Sequence, residues 1–309
     1  MGCELCPRAC SVNRREGEAG ICCMDSTVRI ARASLHQWEE PCLSGTRGSG
    51  TVFFSGCPLH CVYCQNYRIA AGDRGVPVTV AELRDIFLKL QAMGAHNINL
   101  VTPTHFVPSI AEALEQAKTA GLTLPIVYNT SSYETVDTLA RMDGLVDIYL
   151  PDLKYYAPSL AEQYSSAPDY FSTASAAIAE MYRQVGDPVF QADGMLQSGV
   201  LVRHLLLPGQ VRDSKRVVRY LWKTYRDHIF LSLMCQYTPL PHVAASYPEL
   251  ARRVTQEEYD ELVDYAVDLG ITQAYTQEME SASESFIPDF ESFSVSDFLK
   301  GQISENVIS

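Results

Sequence analysis

Short apolar runs alternate with longer amphipathic stretches along most of the chain after Thr51. Runs such as TVFFSG and NINLVTP predict buried strands, and stretches such as TVAELRDIFLKLQAMG predict helices. The later members of this alternation are PSIAEALEQAKTAG, LPIVYNTS, YETVDTLARMDG, VDIYLPDLK, a helical stretch around residues 158–185, GVLVRHLLLPG, DSKRVVRYLWKTYR, IFLSLMCQY, TQEEYDELVDYAVDLG and ITQAYTQ. Strands that alternate with helices form parallel sheets with right-handed crossovers, so the pattern predicts an α/β fold. Six or seven such units favour a TIM-like barrel, complete or partial, over an open sheet.

The two ends of the chain differ from this central pattern. Residues 1–45 are rich in cysteine and have no sustained apolar period, which predicts a small segment held together by metal. Residues 46–280 form the predicted barrel. Residues 281–309 are rich in serine and acidic residues but contain four phenylalanines, so both a solvated tail and a segment lying over the barrel are open.

Charge and cysteine usage narrow the class of protein. The net charge of −13 argues against a nucleic-acid partner. The start MGCELCPRAC has no apolar signal core and no long apolar stretch follows, so we expect a cytoplasmic protein without a membrane partner. Because the cytosol keeps thiols reduced, ten cysteines, nine of them in the first 64 residues, are better explained as metal ligands than as disulfides.

Three cysteines in the stretch SGCPLHCVYCQNY follow the first predicted strand of the barrel. Cys57, Cys61 and Cys64 have the spacing C-x3-C-x2-C on a loop at the C-terminal end of that strand, where α/β barrels place reactive groups. Three thiolates can bind three irons of a cubane cluster and leave the fourth iron open. A zinc site would instead need a fourth ligand, from His60, another cysteine or a carboxylate.

The motif resembles that of the radical S-adenosylmethionine (SAM) superfamily. NINLVTPTHF, VYNTSSYE, DIYLPDLKY, APDYF, LVRHLLLPG and QYTP follow in an order that resembles the branch of pyruvate formate-lyase activating enzyme, especially relatives with an N-terminal cysteine segment. The resemblance implies a partial (β/α)6-type barrel, a [4Fe-4S] cluster whose open iron chelates the amino and carboxylate groups of SAM, and a one-electron reductant such as flavodoxin or ferredoxin. It further implies that the reduced cluster splits SAM to methionine and a 5'-deoxyadenosyl radical, which takes a hydrogen atom from the substrate.

The resemblance also implies which side chains contact SAM. Tyr63 matches an aromatic residue near the adenine, and Asp152 and Lys154 match an acid and a lysine that contact SAM. The remaining candidates, all polar or charged residues at predicted strand ends, are Thr102, Thr104, Asn129, Ser131 and Arg203. A Gly-Gly-Glu that steers the SAM ammonium in the activating enzymes is replaced by the Thr-Pro-Thr-His of residues 102–105, so that contact is not carried over from the family. Thr102 and Thr104 are candidates instead because they offer hydroxyl or carbonyl oxygens.

Two further residues keep alternative interpretations. His105 either faces the substrate or is a structural histidine. Cys235 is explained either as a small buried residue or as a hydrogen-atom donor or radical relay.

A second cysteine group lies at the N-terminus, with the spacing C-x2-C-x3-C-x11-C. Its members are Cys3, Cys6, Cys10 and Cys22, with Cys23 as a rival for the last position. Four thiolates complete either a structural zinc site or an auxiliary four-iron cluster, and the spacing does not separate the two. The scarcity of apolar residues in this segment favours a structural metal.

The leading hypothesis is a radical SAM oxidoreductase that abstracts a hydrogen atom from a backbone glycine of a partner protein, as a glycyl-radical-enzyme activase does. The second is a radical SAM enzyme acting on a small molecule or a peptide. A wide barrel mouth would favour the first, and a closed pocket with convergent charges would favour the second. The third hypothesis, a non-enzymatic iron-sulfur or zinc protein, leaves Asn129, Asp152, Lys154 and Arg203 unexplained.

Overall fold

The computed structural model describes residues 2–278, 290 and 293–301. The strands are β1 (Arg29–His36), β2 (Ser49–Phe54), β3 (Val76–Pro77), β4 (Ile98–Val101), β5 (Ile126–Thr130), β6 (Ile148–Pro151), β7 (Val189–Phe190), β8 (Leu196–Leu205), β9 (Phe230–Met234) and β10 (Ala274–Thr276). The helices are α1 (Pro41–Ser44), α2 (Tyr67–Ala70), α3 (Val80–Ala92), α4 (Val107–Thr119), α5 (Val136–Ala140), α6 (Pro158–Ser165), α7 (Tyr170–Val185), α8 (Val211–Tyr225), α9 (Pro241–Ala244), α10 (Gln256–Asp268) and α11 (Val295–Lys300).

A largely parallel sheet forms the centre of the molecule. The strands are ordered β10-β9-β8-β6-β5-β4-β2-β1-β3, and those from β10 to β2 are parallel. β1 and β3 extend one edge in antiparallel fashion, and β7 pairs antiparallel with β8. The α/β fold with a partial barrel is therefore confirmed.

Local sequence signals set the helix bounds. α3 begins at a capping box in which Thr79 accepts from the Glu82 amide and Glu82 accepts from the Thr79 amide, and α10 begins in the same way. The predicted helical stretch over 158–185 is two helices, because Ser166 takes a left-handed conformation after α6 and the chain turns before α7.

The pleat of the strands sorts their side chains into two faces. On β5, Val127 and Asn129 point inward, whereas Tyr128 packs among the helices. On β8, Leu201 and Arg203 point inward in the same order. The barrel interior is consequently apolar toward the N-terminal ends of the strands and polar toward their C-terminal ends.

Residues 29–45, which the sequence analysis assigns to the Cys-rich segment, belong structurally to the barrel. β1 pairs with β2 along most of its length, from Ile30 opposite Phe54 to His36 opposite Ser49. The chain then turns inward, and α1 packs Cys42 and Leu43 against the apolar inner layer of β5, β6 and β8. This short segment therefore fills the N-terminal end of the barrel interior.

Part of the C-terminal extension packs against the barrel. The ring of Phe290 meets Phe53 of β2 edge-on at 5.4 Å between centroids, and Phe298 of α11 is buried in the main core beside α3. These contacts favour a segment that lies over the barrel, while the rest of residues 281–309 lies outside the described residues. None of the helices in the described part of the chain is long and apolar enough to cross a membrane.

Candidate functional site

The loop that follows β2 carries Cys57, Cys61 and Cys64, and all three line one cavity. Burial raises the pKa of the Cys57 thiol to about 11 and that of Cys64 to about 12, so these thiols need nearby cationic charge to ionise. Among the described residues, no three His, Cys, Asp or Glu side chains are arranged to hold a single ion. A cubane does not require that arrangement, since each thiolate binds a different iron, so three partly buried thiols at a cavity wall fit such a cluster.

The cavity has a volume of about 380 Å³ and lies at the C-terminal ends of the parallel strands. Seven of the eight side chains predicted to contact SAM line it together with the three cysteines: Tyr63, Thr102, Asn129, Ser131, Asp152, Lys154 and Arg203. The eighth, Thr104, does not line it. Its hydroxyl is buried and donates to Glu134 at 2.7 Å, on the helix side of the sheet.

Buried charges form a continuous network along one wall of the cavity. Asp152 accepts from Lys154 Nζ at 2.6 Å and from Arg203 Nε at 3.2 Å. The Arg203 guanidinium also donates to Asn129 Oδ1 and, at 3.2 Å, to Glu39 Oε2. Burial by itself would raise the pKa of Asp152, but the two cations outweigh it and hold that pKa below its ordinary value. Asp152 is therefore ionised at neutral pH and fixes the positions of both cations.

Glu39 and Glu40 are site residues that the sequence analysis missed. They follow β1 and line the cavity, and Glu39 also accepts from Asn99 of β4 at 2.9 Å. Burial raises the pKa of both carboxyl groups, against the opposing influence of Arg203. Their sequence context, WEEPC, has no spacing relation to the cysteine motif, so only the inward turn of the chain before α1 reveals them.

Tyr63 is held in an aromatic cluster beside the cysteine loop. Its ring meets those of Tyr155, Tyr164 and Tyr237 edge-on at 6.2–6.4 Å. Its hydroxyl accepts from Tyr155, and Ser165, which also bonds Tyr155, donates to the Cys61 sulfur at 3.2 Å. The cluster thus fixes one edge of Tyr63 and leaves part of it at the cavity wall.

His105 and Cys235 are buried in the core and are not among the residues that line the cavity. His105 Nε2 donates to the Ser55 carbonyl at 2.6 Å, and burial lowers the histidine pKa to about 3, so the ring is neutral and links the ends of β4 and β2. Cys235 is buried behind β9, although its neighbours Met234 and Gln236 line the cavity. These positions favour structural roles for both residues.

Glu134 has an unusual environment behind the site. Its carboxyl group accepts from the hydroxyls of Thr104, Tyr128 and Thr130, yet burial outweighs these bonds and raises its pKa. A raised pKa in the folded state stabilises the fold below the unfolded value of about 4.5, and this contribution is lost as the pH rises through the folded value. We therefore expect the free energy of unfolding of Glu134→Gln to rise relative to that of wild type as the pH rises from 5 to 8. Urea denaturation at a series of pH values measures this difference.

Glu115→Gln, at an exposed position of α4, controls for the change in net charge. Parallel pH curves for wild type and Glu134→Gln would contradict the prediction.

The N-terminal cysteines come together in the folded chain. The Cys6 thiol, whose pKa burial raises to about 12, interacts electrostatically with Cys3, Cys10 and Cys22. Cys22 is buried, whereas Cys23 is exposed and its thiol donates to the nearby Ile21 carbonyl. The structure therefore favours Cys22 over Cys23 as the fourth member of the group.

The same segment is docked on the cysteine loop of the barrel. Arg8 donates to the carbonyls of Pro58 and Leu59, and its remaining donors reach the C-terminal end of α6. Gly56, at φ 83°, approaches the Cys22 carbonyl so closely that a Cβ there would lie 2.5 Å from the oxygen. The two cysteine groups are thus neighbours through their backbones.

A parallel α/β barrel with three cysteines after its first parallel strand fits the class of enzymes that bind an iron-sulfur cluster on this loop. Comparison with known families agrees with this class. The family model of the radical SAM superfamily matches residues 51–221, more than half of the 309 residues, and the chain belongs to this superfamily. Membership implies an enzyme with radical chemistry, a [4Fe-4S] cluster, SAM and a source of electrons.

Individual relatives are more distant. The chain is 28% identical over 283 residues to an uncharacterized protein of Methanocaldococcus jannaschii, covering 88% of this chain and 76% of the relative. A domain of pyruvate-formate lyase-activating enzyme from Bacteroides vulgatus gives a TM-score of 0.37 at 13% identity, over 56% of this chain and 91% of that one. Streptococcus suis SuiB, solved with its precursor peptide SuiA, gives 0.45 at 10% identity, over 78% of this chain and 51% of SuiB. Both TM-scores are low, so neither structure indicates the substrate of this protein.

Proposed function

We propose that the protein reductively cleaves SAM at a [4Fe-4S] cluster bound by Cys57, Cys61 and Cys64, and uses the resulting radical to abstract a hydrogen atom from a small molecule or a peptide. The observation that carries this proposal is that the three thiols and a buried charge network share one cavity at the C-terminal ends of the strands. A cluster bound there would supply the electron for cleavage.

The side chains around the cysteines have separable tasks. Lys154, which lies within electrostatic range of Cys61 and Cys64, provides positive charge beside the thiolates. Asn129 and Ser131 offer hydrogen-bonding groups at the end of β5 for the polar groups of SAM. Tyr63 offers an aromatic surface for the adenine, held in place by its tyrosine neighbours. Arg203 offers a guanidinium that can pair with a carboxylate of SAM or substrate.

The choice of substrate follows from the charges in the cavity. Glu39, Glu40, Asp152, Lys154 and Arg203 converge on it from three parts of the chain. Convergent charges suit a small polar ligand or a peptide side chain better than a backbone glycine, which has no charge to pair with. The activase hypothesis lacks a comparable supporting contact, and a glycyl radical formed on a candidate partner protein would favour it instead.

The cleavage step is tested by anaerobic reconstitution, reduction and addition of SAM. We expect formation of 5'-deoxyadenosine and methionine in equal amounts, measured by liquid chromatography and mass spectrometry. Dithionite serves as the chemical reductant, and flavodoxin or ferredoxin as candidate protein reductants. An intact, reducible cluster that yields no 5'-deoxyadenosine would reject the proposed function.

The proposal includes a separate metal site at Cys3, Cys6, Cys10 and Cys22, supported by the electrostatic interactions between their thiols. Among the described residues no three of these thiols are arranged around a single ion, so zinc would have to draw them closer together, whereas a cluster binds each thiolate to a different iron. We expect Cys6→Ser to remove about one zinc if the site is structural, or about four irons if it holds an auxiliary cluster. Elemental analysis by mass spectrometry distinguishes these results. Cys23→Ser, at the exposed neighbour, should keep the wild-type metal content. Equal metal content in Cys6→Ser and wild type would contradict the metal site.

A further inference from the structure

The carboxyl group of Glu40, in the wall of the cavity, has one oxygen without a hydrogen-bond partner. The residue is only 9% exposed and lines the cavity, and its Oε2 atom has no hydrogen-bond partner. A buried carboxylate oxygen without a partner carries a large desolvation cost, which a bound cation would offset.

The charges around Glu40 do not balance. Three carboxylates, those of Glu39, Glu40 and Asp152, share the two cations of Lys154 and Arg203. His36 also lines the cavity, but burial lowers its pKa to about 4, so it adds no positive charge at neutral pH. Because burial raises the pKa of Glu39 and Glu40, full ionisation of the three carboxyl groups requires one positive charge more than the cations of the cavity supply.

An aromatic residue also lines the cavity. Trp38, one residue before Glu39, is 58% exposed and contributes to the lining. Tryptophan is the aromatic side chain that attracts cations most strongly over its ring face. A carboxylate and an indole in the wall of one cavity are a combination that recognises organic cations.

The order of contacts places Glu40 away from the cysteines. Lys154 interacts with Cys61 and Cys64, Asp152 joins Lys154 to Arg203, and Arg203 joins that group to Glu39. Glu40 lies beyond this chain, near Ser232 of β9. Since SAM would bind the cluster through its amino and carboxylate groups, the Lys154 end of the network, beside the cysteines, is the end that would face SAM.

From these contacts we infer that Glu40, assisted by Glu39 and Trp38, binds a cationic nitrogen of the substrate, an amine or a guanidinium. The inference rests on the proposed function, because it takes this cavity as the substrate site. The substrate class is accordingly an amine- or guanidine-bearing small molecule or peptide side chain.

The test uses cluster-loaded protein labelled with 5-fluorotryptophan and followed by ¹⁹F NMR under anaerobic conditions. The sequence has two tryptophans, and the second, Trp222 of α8, packs against Arg226 and does not line the cavity. The probes are butylammonium and butylguanidinium, with butanol and butyrate as the neutral and anionic comparisons at constant ionic strength. We expect the two cations alone to shift the Trp38 resonance saturably, with Trp222 unaffected.

Glu40→Gln should weaken binding of the cationic probes by about tenfold or more, because a charged hydrogen-bond acceptor is lost. Glu257→Gln, exposed on α10, is the matched control and should bind the probes like wild type. If the neutral or anionic probe shifts the Trp38 resonance as much as the cations do, the inference is overturned. This titration uses the wild-type protein, so it tests the inference even if Glu40→Gln does not fold. Weakened SAM binding with unchanged probe binding in Glu40→Gln would also overturn it and assign Glu40 to SAM binding.

These titrations involve no SAM cleavage. A protein that cleaves SAM but shows no cation preference would therefore reject this inference alone. A protein that binds the cations but forms no 5'-deoxyadenosine would reject the proposed function alone.

Discussion

Replacement of Cys61 by alanine is expected to reduce 5'-deoxyadenosine formation to the level of the assay without enzyme. The substitution leaves two thiols on the loop, and two thiolates cannot hold a cubane that needs at least three protein ligands to leave a single open iron. The reconstituted variant should also lose about four irons per chain relative to wild type, seen in iron analysis and in the loss of the cluster's visible absorption.

Cys235→Ala provides the matched control. This cysteine is buried behind β9 and does not line the cavity, so the variant should keep the cluster and cleave SAM. A Cys61→Ala protein that retains both iron and cleavage would contradict the assignment of the cluster to this loop. Loss of substrate turnover with intact SAM cleavage in Cys235→Ala would instead revive the radical-relay hypothesis.

Arg203→Met is expected to have the largest effect on stability, a loss of about 3 kcal/mol in the free energy of unfolding, measured by urea denaturation at pH 7.5. The substitution removes the cation that bonds both Asp152 and Glu39, and it leaves these carboxylates with less compensation for their burial. The loss should shrink on acidification, because Asp152 and Glu39 become protonated more readily once the guanidinium is gone.

Two comparison variants make the Arg203 result specific. Arg183→Met removes an exposed arginine that also bridges two carboxylates, and it should change stability little because solvent screens that pair. Adding Glu39→Gln to Arg203→Met should recover part of the lost stability, since it removes one of the uncompensated charges. Equal losses for Arg203→Met and Arg183→Met would show that the buried network does not stabilise the fold.

The central barrel could be predicted from the sequence because its signals are local. Apolar strands such as β5 and amphipathic helices such as α3 form where the pattern places them, and the only helix prediction that needed division was the 158–185 stretch. The sequence analysis does not predict β1. Its residues, Arg29–His36, include polar side chains and lie among the cysteines, and they form a strand through pairing with β2, which comes later in the sequence.

The candidate site could be predicted in part, from the spacing of the cysteines and from the polar residues at the ends of predicted strands. Cys57, Cys61 and Cys64 are close in sequence, and Asn129, Asp152 and Arg203 each stand near the C-terminal end of a predicted strand. Because parallel strands bring those ends to one side of a barrel, the sequence by itself determined that these residues meet. Thr104 shows the limit of the argument, since the turn after β4 directs its hydroxyl toward Glu134 on the helix side.

Only the tertiary structure decided what faces the cysteines across the cavity. Glu39, Glu40 and Trp38 enter through the inward turn before α1, which no periodicity or spacing in the sequence predicts. Cys22 was likewise selected over Cys23 by burial, and the N-terminal segment was brought onto the cysteine loop by Arg8 and the close approach at Gly56. The physical reason is the same in each case: these contacts join residues far apart in the chain, so their free energy depends on the packed fold and leaves no local pattern.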